Sequence, residues 1–345
     1  MSNAKIKVLI VDDSELIRKI LTEVISADPS LQVVGAACDA FEARSMVNDL
    51  KPDVITLDVE MPKVDGLRFL EVLMKARPTP VIMISTLTRA NADTTLRALE
   101  LGAIDYVAKP TINESRLFQQ YSHTIIRKIK QAAACRVVPA VANATKATSS
   151  ALLKANRVLA IGASTGGTEA IRRVMQQLPP ENFAVVIVQH MPAGFTTTYA
   201  ERLNRTTGFK VVEAKGGEVV KPGTAYLAPG DYHLKVVRKG NQLLTEVFKA
   251  EKVSGHRPSV DVLFDSIADE VGKHALATLL TGMGKDGATG LKRIHDTGAY
   301  TVAQDEESCV VFGMPREAIS LGAVTKVAPL HKVGEALITS MLPQK

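Results

Sequence analysis

The chain has 345 residues, 42 Lys and Arg against 36 Asp and Glu, a formal net charge of +6 and no Trp. That length exceeds what one hydrophobic core usually organises, so two domains are expected. No apolar stretch reaches the roughly 20 residues of a membrane helix, and the basic excess, which lies beyond residue 128, is neither gathered into a run nor interleaved with aromatics. Membrane insertion and nucleic-acid binding are therefore both disfavoured.

The N-terminus enters a charged, strand-like segment rather than a signal peptide, so a cytoplasmic location is expected. Cys38, Cys135 and Cys309 lie far apart without metal-binding or redox spacing and read as free thiols. Between Lys5 and Lys128, "KVLIV", "LQVVGAA", "DVITLD", "VIMIS" and "DYVAKP" read as strands. They alternate with stretches such as "SELIRKILTEVISA", whose apolar residues recur at helical spacing. Continuous apolar strands joined by helices predict a parallel, doubly wound sheet over residues 1–128. Residues 129–153, rich in Ala, Thr, Ser and Lys and interrupted by Pro139, read as a linker. A second alternation over 154–345 has strands at "RVLAIGA", "AVVIVQH", "HALATLLTG" and "YTVAQD". It predicts another parallel α/β domain, with a β-hairpin inserted within "GTAYLAPGDYHLKVVRKGNQLLTEVFKA".

In the first domain Asp12 and Asp13 follow the first strand and Asp58 ends the third, so three carboxylates should meet at the carboxyl edge of the sheet, where open α/β sheets bind ligands. Their mutual repulsion is relieved by a hard divalent cation such as Mg2+. Ser85 and Lys109 end two further strands and bring a hydroxyl and an ammonium to the same rim, a set able to hold a phosphoryl group on Asp58. Helix capping alone accounts for Asp13 but not for five polar groups at strand ends. On "VDDS", "ITLDVEMPKVDGL", "MIST" and "DYVAKP", residues 4–128 resemble the response-regulator receiver family. The resemblance implies a flavodoxin-like fold, Asp58 as phosphoacceptor, and Asp12, Asp13, Asp58 and the Glu60 carbonyl around Mg2+. It also implies Ser85 as the hydroxyl that senses the phosphoryl, Tyr106 as the coupled aromatic, Lys109 as the charge partner and a cis bond before Pro110.

In the second domain "GASTG" fits a nucleophile elbow, a tight turn that projects Ser164 above a sheet. The same residues read as a phosphate-binding turn or as the cap of the helix "EAIRRVMQQL", although no Walker or dinucleotide pattern is present. A base and an orienting acid within reach of Ser164 decide among these. Of the seven histidines, His190 alone ends a strongly apolar strand, and Asp286 lies in a glycine-rich loop after another. Ser164, His190 and Asp286 are thus expected to converge as nucleophile, base and acid for acyl transfer. Backbone amides, that of Met283 among them, would receive the oxyanion. The order Ser, His, Asp departs from that of α/β-hydrolases, which an Asp265 and His295 pairing would restore. His256 and Arg257, in a loop before a helix, are candidate substrate contacts.

On "IGASTGGTEAI", "VQHMPAGFT", "YLAPGDYH", "HRPSVDVLF", "LTGMGKDGATG" and "SCVVFGMPREAI", residues 154–345 resemble the chemotaxis methylesterase (CheB) family. The resemblance implies a Rossmann-like parallel sheet, Ser164, His190 and Asp286 as the triad with Thr165 beside the nucleophile, and no cofactor for the esterase reaction. The substrates it implies are γ-glutamyl methyl esters of chemoreceptors, with deamidation of receptor glutamines as a second activity. A histidine kinase would be the phosphodonor and the protein would be a monomer. Phosphorylation of Asp58 is then expected to relieve a steric block of the esterase by the receiver. The competing reading is a phosphorylation-dependent binding module without catalysis, against which stands the absence of a helix-turn-helix pattern after the linker.

Overall fold

Two units, Met1–Val141 and Ala142–Lys345, make up the chain. The structure is a computed structural model and describes residues 4–61, 64–86, 89–109, 115–135 and 157–342. Pro110 and most of the expected linker, residues 136–153, lie outside the described residues.

In the first unit the apolar runs form β1 (Ile6–Val11), β2 (Leu31–Ala37), β3 (Val54–Asp58), β4 (Val81–Ser85) and β5 (Asp105–Ala108). All pair in parallel in the order β2-β1-β3-β4-β5, the flavodoxin-like order. Helices α1 (Glu15–Ser26), α2 (Ala40–Leu50), α3 (Gly66–Ala76), α4 (Arg89–Glu100) and α5 (Ser115–Ala134) connect the strands and flank the sheet. Local chemistry sets their starts: Ser14, Asp39 and Asp65 each accept a backbone N–H of the first turn of α1, α2 and α3, which satisfies donors that the helix itself leaves unpaired. Helix α5 continues to Ala134, past residue 129 where the change of composition starts.

The second unit is built on β6 (Arg157–Ala163), β7 (Phe183–Gln189), β8 (Lys210–Glu213), β9 (Thr224–Leu227), β12 (Ala275–Leu279), β13 (Tyr300–Gln304) and β14 (Lys326–Ala328). They form one parallel sheet in the order β14-β13-β12-β6-β7-β9-β8. Its helices are α6 (Gly167–Gln177), α7 (Phe195–Thr206), α8 (Val260–Glu270), α9 (Ala288–Asp296), α10 (Met314–Ser320) and α11 (Val333–Thr339). The expected hairpin is present as β10 (His233–Lys239) and β11 (Gln242–Phe248), a separate antiparallel pair. The stretch before it, β9, instead joins the main sheet beside β7. Val186, Val188, Leu263, Phe264, Ile267, Leu279 and Leu291 have no exposed surface and form the core between sheet and helices, with Leu234 and Val236 of β10 packed in from the hairpin. Each fully buried side chain of this size contributes about 1.5–3 kcal/mol relative to remaining in water. Among the described residues no helix is long and apolar enough to cross a membrane.

Candidate active site

The order of the second sheet places β6 between β12 and β7, so the chain leaves β6 toward one side and returns on the other. The crevice at such a switch point is where open parallel sheets bind ligands. Ala163 pairs with Gln189 in the parallel ladder, and Ser164 and His190 are the next residues of β6 and β7. Neighbouring strands lie about 4.8 Å apart, so the ladder itself sets the serine and the histidine side by side. Three further bonds hold their backbones: His190 N donates to Ala163 O at 3.1 Å, and Gln189 Nε2 donates to the carbonyls of Ser164 (2.8 Å) and His190 (3.3 Å).

The capping role for Ser164 does not survive. The cap of α6 is Gly166, left-handed at φ 77°, and no side chain bonds the helix start. Ser164 is instead fixed through its backbone, its N–H donating to Thr281 O (3.0 Å) and its carbonyl accepting from Gly167 N–H (2.8 Å). Gly282, next along the loop after β12, lies so close that a Cβ on it would stand 2.8 Å from Ser164 Cβ and 2.3 Å from Met314 Sδ. Met283 follows it, and Thr165, 8% exposed, gives its carbonyl to Thr281 Oγ1 at 3.0 Å. Gly282→Ala is expected to push the loop off the serine, destabilising the fold by about 1–3 kcal/mol and reducing hydrolysis; thermal unfolding and an ester assay on the same preparation would measure both.

Asp286 carries the densest set of bonds. Oδ2 accepts from His190 Nε2 (2.7 Å) and from Val260 N–H (2.8 Å), while Oδ1 accepts from Ser259 Oγ (2.7 Å) and Asp261 N–H (3.2 Å). The carboxylate thus caps α8 from a different loop, whereas Ser259, the residue in the capping position, makes no side-chain bond to the helix. Burial pushes the Asp286 carboxyl up, but the His190, Ser259 and Val260 donors outweigh it and hold it below the usual carboxylate range. Asp261 is pushed the opposite way by burial and by the charge of Asp286.

With Nε2 engaged by Asp286, Nδ1 is the ring atom left to His190. It is buried and makes no hydrogen bond, and no bond joins it to the Ser164 hydroxyl. The His256 ring lies flat on His190, with centroids 3.8 Å apart and planes 3° from parallel. Arg257, the other expected substrate contact, forms an ion pair with Asp231. The alternative pairing of Asp265 with His295 is not formed: Asp265 binds Arg293 at 2.8 Å, and His295 Nδ1 meets Thr301 Oγ1 at 3.2 Å near the start of β13. Sequence reasoning missed Ser259 and His233, which accepts Ser259 N–H at Nδ1 (3.2 Å). The only signal for Ser259 was its place directly before an apolar helical run.

At the rim of the first sheet, Asp12 and Asp58 are buried, and Lys109 Nζ reaches Asp58 Oδ2 at 2.7 Å and Asp12 Oδ2 at 3.3 Å. Carboxylate oxygens of Asp12, Asp13 and Asp58 lie within 4.8 Å of one another. Burial, with the charge of Asp12 added, pushes the Asp58 carboxyl up to about 6 against the opposing pull of Lys109. Glu60 N–H donates to Asp58 Oδ1 at 3.3 Å, and a cleft of about 430 Å3 lined by Asp13, Val59, Glu60, Asp65, Asn91 and Thr94 opens here. A Cβ on Gly66 would fall 2.0 Å from Asp58 O, so only glycine fits where α3 starts against this strand end. Ser85 Oγ accepts from Thr95 Oγ1 of α4 (3.1 Å). The Tyr106 ring is buried beneath Lys128, whose Nζ lies 5.2 Å from its centroid.

A seryl, an imidazole and a carboxylate group at one switch point, preceded in the chain by a strand-end acidic pocket with its lysine, define a hydrolase joined to a receiver. Residues 159–337 match the family model of CheB methylesterases, and residues 8–122 match that of response regulator receiver domains. The chain is 51% identical to the protein-glutamate methylesterase/protein-glutamine glutaminase 2 of Cupriavidus pinatubonensis, over 99% of this chain and 97% of that protein. It is 52% identical to the protein of the same name from Pseudomonas aeruginosa, over 96% of each. The crystal structure of the Thermotoga maritima CheB methylesterase catalytic domain superposes with a TM-score of 0.52 at 40% identity, covering 54% of this chain and 99% of that one. The chain belongs to the CheB methylesterase family, and its N-terminal domain is a response regulator receiver domain.

Proposed function

We propose that this protein is a phosphorylation-activated protein-glutamate methylesterase with protein-glutamine glutaminase activity, acting on chemoreceptors in adaptation of bacterial chemotaxis. The observation that carries the reading is the buried, unbonded Nδ1 of His190, on a ring already held by Asp286 and beside Ser164 in the strand ladder. In this reading His190 Nδ1 takes the proton as Ser164 Oγ attacks the γ-carbonyl of a glutamyl methyl ester. The proton then passes to the departing methoxide, releasing methanol, and water hydrolyses the acyl-serine by the same route in reverse. A glutamine side chain enters the same cycle with ammonia as leaving group. Amides of the Thr165 and Met283 loops receive the oxyanion.

Asp58 is the phosphoacceptor, a histidine kinase the donor, and Ser85, Tyr106 and Lys109 the residues that respond to the phosphoryl group. The donor set at Asp12, Asp13, Asp58 and the Glu60 carbonyl is all hard oxygen, with more carboxylate charge than Lys109 offsets, which suits Mg2+. When bound, the ion would supply positive charge to the transferring phosphoryl group. Protons and metal compete for Asp58, so Mg2+ affinity is expected to fall as pH drops through about 6, with calorimetric titrations at about pH 5 and about pH 8 as the check. Residues 1–128 act as the regulatory domain and 154–345 as the catalytic domain, with phosphorylation of Asp58 raising esterase activity. A cytoplasmic monomer fits this role. Methanol release from methylated receptor membranes, with and without a small-molecule phosphodonor, tests the whole proposal: a rise on phosphorylation supports it, and no release in either state defeats it.

A further inference from the structure

One short segment touches both the imidazole and the carboxylate of the site. Ser259 Oγ and the N–H groups of Val260 and Asp261 bind Asp286, and three residues before Ser259 the His256 ring covers one face of His190. The backbone makes this placement rigid. Val253 and His256 exchange both N–H···O bonds, at 3.1 and 2.9 Å, across Ser254 (φ 51°) and Gly255 (φ 80°), the two left-handed residues of a tight hairpin turn. Arg257 then ties the segment to Asp231 and to the Ala250 carbonyl. Among the described residues three non-glycine positions have positive φ, and two of them, Asp231 and Ser254, belong to the loops that hold His256. Backbone strain of this kind persists where the surrounding structure over-determines a functional geometry.

We propose that His256 is a positioning residue for the esterase reaction, fixing the plane of the His190 ring so that Nδ1 stays directed at Ser164; the inference rests on the reading of Ser164 and His190 given above. The bond from Nε2 to Asp286 holds one edge of the ring and leaves a limited rotation of its plane about the Cβ–Cγ bond to whatever packs on its face. A parallel plate at 3.8 Å removes that rotation. Small misplacements of a reacting group cost heavily in rate, so a contact that adds little to folding can still decide turnover. Donor atoms of His190, His256 and Asp286 lie within 4.8 Å, but two parallel imidazoles direct their lone pairs along parallel planes that never converge on one ion. The stack therefore serves orientation.

The experiment compares full-length wild type with His256→Ala, His256→Leu and His256→Phe in two assays: methanol release from methylated receptors, and acylation of Ser164 by a p-nitrophenyl ester, which needs the base but no receptor. Ala and Leu are expected to lower kcat about tenfold or more with KM within about twofold, and Phe, which restores a flat ring without a nitrogen, to recover most of the loss in both assays. Leu fills the site without a flat face and covers the case in which Ala fails to fold, judged by thermal unfolding. Full activity of Ala or Leu, a loss carried by KM, or Phe no better than Leu would each overturn the inference. If wild type acylates in this order but releases no methanol, the substrate reading fails while the positioning role stands. If methanol is released equally by all four proteins, the positioning role alone fails.

Discussion

Ser164→Ala is expected to lower methanol release from methylated receptors by at least about 10³-fold, to the level that binding and oxyanion stabilisation alone support. The protein should remain folded. The backbone bonds that fix the turn run through the Ser164 N–H and carbonyl, which alanine keeps. A thermal midpoint close to that of wild type should therefore accompany the loss of activity. Undiminished release by the variant would remove Ser164 from the mechanism and revive the reading of the second domain as a binding module.

Asp286→Asn should behave differently, with activity and stability falling together. The four bonds that Asp286 accepts all require oxygen lone pairs, whereas an asparagine offers one oxygen and an NH2 that would face either the N–H groups of α8 or the imidazole. Turnover is expected to drop by about 10³–10⁴-fold, as when an orienting carboxylate is lost from a triad. Leaving buried donors at the start of α8 unpaired should cost about 1–3 kcal/mol. The pH dependence supplies an independent check. Because the Asp286 carboxyl is held below its ordinary value, its contribution is fully present above about pH 4 and fades as pH falls below that range, when the proton reaches the folded state. The gap in stability between wild type and variant should accordingly narrow in acid, as measured by denaturant melts at descending pH.

Much of this was legible because parallel sheets make position readable. Once "RVLAIGA" and "AVVIVQH" are recognised as buried strands, the residues that follow them must lie at one edge, and Ser164 and His190 need no knowledge of loops to be brought together. Asp58 and Ser85 were readable for the same reason, each being the last residue of a fully buried run. What depended on loop conformation was not legible. The bonds from Asp286 to Ser259, Val260 and Asp261 join positions more than twenty residues apart, and no periodicity encodes them. The sequence likewise gives no hint of which imidazole nitrogen meets the acid, or that His256 would lie against another histidine. A short alternating strand such as β9 has the same pattern whether its partner is a hairpin neighbour or β7, so its pairing is not readable from the sequence. The end of α5 is hard to read because an alanine-rich stretch suits a linker and a helix alike, alanine being the strongest helix former.

The hairpin β10–β11 is hydrogen-bonded as a sheet of its own, while Ser164 and His190 follow directly on strands of the main ladder. Its tip, Gly240–Asn241, can therefore lengthen or shorten without disturbing the reacting groups. A change of length at that tip leaves the strand ends that carry Ser164 and His190 where they are.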